Sequence, residues 1–186
     1  MSKLDVLEGA DWRPARYGDH YSFERTTGPA RLAIAPSGRH SELLLALSGV
    51  LRSPFALLYV LHTPRGATAG RYQSPPLEAL DLQAFFATYG PFIAADARHD
   101  LWIRARPDSA TLVWERHDLV YAYGPLERFE DVLTRRGFAR GQVTVPTPHR
   151  HHYHGAWDSA EESLLRSFEW ILSPLHPEDQ QSEGAA

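Results

Sequence analysis

Four of the chain's ten histidines fall in one short run, Pro146-Thr147-Pro148-His149-Arg150-His151-His152-Tyr153-His154. Imidazole changes charge near neutral pH, and its neutral form is the commonest nitrogen ligand for divalent metals. In an extended segment successive side chains alternate, so His149 and His151 project to one side and His152 and His154 to the other. Either pair can chelate an ion at i and i+2. A catalytic zinc site, however, takes three protein ligands and keeps a position open. Each pair therefore needs a third ligand from elsewhere, and the spacing does not rank His62, His99, His117, Asp158, Glu161 and Glu162 for that place. The run lacks a helix-borne His-Glu-x-x-His pattern. The four histidines are binding candidates only, and the sequence names no metal ligand set and no cofactor. The competing reading makes them loop surface or packing groups.

Two other places gather functional side chains. Arg71-Tyr72-Gln73-Ser74 offers a guanidinium, a phenol, an amide and a hydroxyl inside the Gly- and Pro-rich stretch 63–76. Loops of that length are uncommon unless functional or disordered, which makes Arg71 and Tyr72 binding candidates. Trp102 and Arg104, with Arg106, share one side of an expected strand and are residue types enriched at protein–protein hot spots. Trp114, Tyr121 and Tyr123 are expected on the opposite, core-facing side.

Whole classes of chemistry are missing. Cysteine is absent, which removes disulfides, thiolate zinc sites and thiol nucleophiles. No Gly-x-Ser-x-Gly elbow, phosphate-binding loop or dinucleotide glycine fingerprint occurs. Pro36-Ser37-Gly38-Arg39-His40 carries one glycine and reads as an ordinary approach to a helix. A net charge of −4 and a pI near 6.2 give no basic footprint, so no nucleic-acid partner is expected. No apolar run approaches the roughly 20 residues that span a bilayer, and Met1-Ser2-Lys3-Leu4-Asp5 has no export pattern; no membrane association and a cytoplasmic location are expected. Lys3 is the only lysine and asparagine is absent, a bias that fits a GC-rich bacterial coding sequence.

The elements that must position these groups follow from periodicity. Segments 21–24 and 31–34 alternate around Thr27-Gly28-Pro29 and predict a hairpin. Residues 41–51 predict a buried helix, and 55–61 a buried central strand. Asp81 starts a helix with Leu82, Phe85, Phe86 and Tyr89 on one face, which Gly90-Pro91 breaks or kinks before a last turn. Strands 100–106, 109–116 and 119–124 form a meander; with two-residue turns at 107–108 and 117–118, Leu101, Ile103, Leu112, Trp114, Leu119, Tyr121 and Tyr123 share the core face. A helix follows Pro125 and stops at Gly137, 142–145 is a short strand, and Asp158 opens a last helix whose apolar stripe extends to Leu172. The chain reads as a single domain of 186 residues with loose ends at about 1–16 and 174–186. The fold class is α+β, a largely antiparallel sheet including a three-stranded meander at about 100–124, packed against about four helices.

Two functions fit this frame. The first is a small intracellular bacterial protein-binding module without catalytic activity, a partner or neutralising protein, whose partner is another protein. The second is a metal-dependent hydrolase or small-ligand enzyme that uses the His149 to His154 cluster, with Arg71 or Arg104 holding an anionic substrate. No feature of the sequence specifies an oligomeric state.

Overall fold

The computed structural model describes residues 1–179, which form two sheets and four helices in an α+β arrangement. In chain order the elements are β1 (Leu4–Glu8), β2 (Asp11–Pro14), β3 (His20–Glu24), β4 (Arg31–Ala35), α1 (His40–Ser48), β5 (Phe55–Leu61), β6 (Gly70–Gln73) and α2 (Ala79–Ala95). There follow β7 (His99–Ala105), β8 (Ala110–Trp114), β9 (Val120–Tyr123), α3 (Leu126–Arg135), β10 (Ala139–Arg140), β11 (His149–His151), α4 (Asp158–Leu165) and β12 (Ile171–Ser173). Nine strands form the main sheet in the order β10-β3-β4-β9-β8-β7-β5-β6-β12, antiparallel except where β10 runs parallel to β3. The small sheet has the order β11-β1-β2. No helix of the described residues is long and apolar enough to cross a membrane.

The core lies on one face of the main sheet. Leu43, Leu44 and Leu47 of α1, Phe85, Phe86 and Phe92 of α2, Phe129 and Leu133 of α3 and Leu164 of α4 pack there against Leu32, Ile34, Leu57, Leu101, Ile103, Leu112 and Trp114. Truncating one such buried Leu to Ala costs about 2–5 kcal/mol, because apolar contact is lost and the cavity closes only in part. Helix α2 starts where the Glu78 N–H donates to the Asp81 carboxylate at 2.8 Å. It runs through Pro91 to Ala95 as one helix, so Gly90-Pro91 does not break it and the expected last turn through Phe92 and Ile93 forms. Gly90 has a different task from chain breaking: a Cβ there would sit 2.5 Å from the Ser41 hydroxyl, so its absence lets α1 and α2 approach closely.

The meander keeps the expected register up to β8, although residues 106–109, with a 3₁₀ turn at Arg106–Asp108, replace the expected two-residue turn and take Arg106 out of the strand; the second turn differs more. Trp114 pairs with Val120, and Glu115 N donates to Leu119 O at 3.1 Å, leaving the three-residue loop Arg116-His117-Asp118. Asp118 takes the left-handed conformation at φ 66° that ends such loops. One residue more than a two-residue turn reverses the faces of the following strand. Val120 and Ala122 therefore enter the core, whereas Tyr121 and Tyr123 join Trp102 and Arg104 on the outer face. Trp114 is core, as expected.

Other expectations are corrected for identifiable reasons. The first residues are not loose: Leu4 and Val6 are buried as β1 pairs with β2 and β11. The stretch 63–76 contains β6, where Gly70 admits a neighbouring strand; a Cβ would come within 2.6 Å of Leu172 Cδ1. Segment 142–145 is not a strand, because residues 139–141 already hydrogen-bond to the β3 edge. The last helix ends at Leu165, where the Leu164 carbonyl accepts from Ser167 and from the Trp170 indole, and Ile171 and Leu172 turn out into β12 as exposed side chains. Of the segment 174–186, residues 177–179 form a 3₁₀ turn with Asp179 buried, and 180–186 lie outside the described residues.

Candidate metal centre

Two separate segments supply the site. Strand β11 lies antiparallel to β1, with His149 opposite Val6 and His151 opposite Leu4, so both imidazoles follow the buried side of that pair. His117 sits in the β8–β9 loop. That loop is anchored at several points: Trp114 Nε1 donates to the Asp118 carboxylate at 2.9 Å, the Tyr17 hydroxyl donates to the His117 carbonyl at 2.7 Å, and the buried Lys3 ammonium lies 3.7 Å from Asp118. Lys3 belongs to the segment entering β1, so the small sheet and the loop are already held together beside the histidines.

The rings of His117, His149 and His151 converge, with centroids 5.0 Å, 4.9 Å and 5.3 Å apart. One ligand nitrogen from each lies within 4.8 Å of the others. His117 Nδ1 donates to the Glu115 carboxylate, and His149 Nδ1 donates to the Pro146 carbonyl at 2.9 Å. These bonds engage Nδ1 of both rings and leave Nε2 as the nitrogen each can offer a ligand. The buried Nε2 of His151 has no hydrogen-bond partner among the described residues. Burial first, then the neighbouring His117 and His149, then Arg116 and Lys3 disfavour its charge and push its pKa down to about 3. At neutral pH His151 is therefore a neutral donor.

This donor set fits a transition metal. Nitrogens about 2.1 Å from a tetrahedral ion stand about 3.4 Å apart, so the three nitrogens, within 4.8 Å of one another, would draw closer around a shared ion. The hydrogen bonds behind His117 and His149 are the carboxylate and carbonyl supports that orient metal-binding imidazoles and raise their basicity. Three protein ligands leave a fourth position for water or another ligand, and all three histidines are only partly buried.

The remaining candidates go elsewhere. His152 and His154 stack at 5.6 Å, on the side of Asp5. His152 Nε2 lies 2.8 Å from the Asp5 carboxylate, and His154 Nε2 donates to the Ser2 carbonyl at 2.9 Å. Burial opposes ionisation of Asp5, but hydrogen bonds from Ser2, His152 and Arg150 outweigh it and hold its pKa at about 2. Arg71 donates to both oxygens of Asp179 at 2.8 and 2.7 Å, and Tyr72 is buried with its hydroxyl on the Thr68 carbonyl at 2.6 Å. They are components of a strand, not of an open loop. Trp102 is half-buried and Arg104 exposed on the outer sheet face.

Of the third-ligand candidates, His117 converges with the pair. His62 is bound to Asp100, His99 to Tyr59, and Asp158 and Glu161 to Arg98. The supporting residue Glu115 escaped sequence reasoning; its one signal was a carboxylate two positions before a histidine at a turn. A comparison with family models, curated proteins and solved structures finds no match.

Proposed function

We propose that this protein binds one divalent transition-metal ion of the zinc class through His117, His149 and His151. The observation that carries the reading is the convergence of three imidazoles from β11 and the β8–β9 loop, two of them oriented by hydrogen bonds at their far nitrogens. Imidazole donors without carboxylate oxygen favour zinc, copper, nickel or cobalt over magnesium or calcium. The expectation of no metal ligand set and no cofactor is replaced by this one. Of the two sequence-based functions, the geometry favours the metal-dependent over the partner-only reading.

The bound ion would fasten the small sheet to the main sheet at the place where Lys3 meets Asp118, and its fourth position would stay exchangeable. Such an ion stabilises the fold by mass action, about 2.7 kcal/mol at a free concentration 100 times Kd. Elemental analysis and zinc titration of the untagged, chelator-treated chain test the reading. One equivalent per chain, lost in His117→Ala and His151→Ala, is expected. Absence of stoichiometric zinc, nickel, cobalt or copper binding would overturn it.

A further inference from the structure

The outer face of the main sheet carries a second site, independent of the histidines. Register places two rows of side chains across it: Trp102, Val113 and Tyr121 in one, Arg104, Thr111 and Tyr123 in the next. The middle strand β8 contributes the small members, Val113 and Thr111, while β7 and β9 contribute the large ones. The result is a trough along β8 with aromatic walls. Trp102, Val113, Thr111, Tyr121 and Tyr123 line a cavity of about 680 Å³ there, and beside it a second of about 360 Å³ shares Trp102 and Thr111 and is lined also by Arg104. The larger volume falls in the range of small-molecule sites, about 300–1,000 Å³.

Width and charge define the occupant. Walls two strands apart stand about 10 Å from each other at the backbone. An aromatic ring between two others needs about 3.5 Å of contact on each side, so the trough takes one planar ring system, edge down on β8. The β9 wall is fixed: Arg31 stacks 3.8 Å over the Tyr121 ring, donates to the Tyr123 hydroxyl at 2.9 Å and is neutralised by Glu24 at 2.7 Å. Arg104 differs, being exposed, with no carboxylate among the described residues paired to it. At the other end Glu115 already accepts from His117. We propose that the trough binds a planar aromatic carboxylic acid, its ring between Trp102 and the two tyrosines and its carboxylate on Arg104.

Calorimetric titration of the full chain with 2-naphthoate tests this, with neutral 2-naphthamide and ring-free acetate as controls. Naphthoate binds at one site per chain and naphthamide about tenfold more weakly, as one charge-assisted hydrogen bond predicts, while acetate gives no heat. Thr111→Trp fills the trough and abolishes binding at an unchanged melting temperature. Arg104→Gln, on an exposed side chain, removes the preference for naphthoate over naphthamide. Equal affinity of the two probes for the unaltered chain, binding that survives Thr111→Trp in a folded protein, or no heat from either naphthyl probe overturns the proposal. So does a dimer in sedimentation that Thr111→Trp dissolves and naphthoate leaves intact, since a second copy would then fill the trough.

Discussion

His149 and His151 leave β11 toward the β8–β9 loop, whereas His152 and His154, next in the chain, turn to Asp5 and Ser2. The first pair meets a third imidazole, His117, which Glu115 supports from behind; within the pair a carbonyl supports His149, and the buried Nε2 of His151 has no hydrogen-bond partner among the described residues. The second pair meets the Asp5 carboxylate, 2.8 Å from His152 Nε2, and the Ser2 carbonyl, which accepts from His154. The backbone around that pair is held as firmly as the side chains: His154 N donates to Asp96, and the His154 carbonyl accepts from Arg98. Four like residues thus divide into a candidate ligand set and a structural clasp, and the division is made by what each side of the strand faces.

The largest effect is expected on the clasp. Arg98 is fully buried and binds Asp96 at 2.9 Å and Glu161 at 2.7 Å, so Arg98→Ala strands buried carboxylates and costs about 3–5 kcal/mol in urea unfolding. Next comes the ligand set. His151→Ala should weaken zinc binding by about a hundredfold or more while leaving the metal-free chain folded, measured by competition with a chromophoric chelator. Glu115→Gln, which keeps the shape but weakens the support of His117, should cost about 10- to 100-fold in the same assay.

The smallest effect concerns Asp5 and sharpens the contrast by pH. Its folded pKa of about 2 lies below the unfolded value of 3.8, so its contribution is present above pH 4 and is lost as pH falls from about 4 toward 2. Asp5→Asn should remove on the order of 1–2 kcal/mol at pH 7 and flatten the stability profile across that acid window, with metal affinity unchanged. A profile as steep as the parent's would show that Asp5 does not hold the clasp.

The division was half legible in the sequence. Alternation alone separates His149 and His151 from His152 and His154, because period two holds wherever the segment is extended. The partner was not legible, since His117 lies more than thirty positions earlier and reaches the pair only through sheet pairing between distant segments. The α+β class and the four helices followed from stripes such as Phe129, Val132 and Leu133. Faces after the second meander turn did not, because the three-residue loop ending at Asp118 differs from a two-residue turn by one position, and that position moves Tyr121 and Tyr123 to the outer face. Gly70 and Gly90 read as breakers, yet each serves a close approach by an element that only the tertiary structure brings there.

Zinc titration of the metal-free chain beside His151→Ala and His152→Ala tests the central claim most directly. The account predicts one equivalent bound by the parent chain and by His152→Ala, each with a raised melting temperature, and in His151→Ala binding weakened about a hundredfold or more, with no stabilisation at the zinc concentration that saturates the parent. Equal loss of zinc in the two variants, or no binding by the parent, would contradict it.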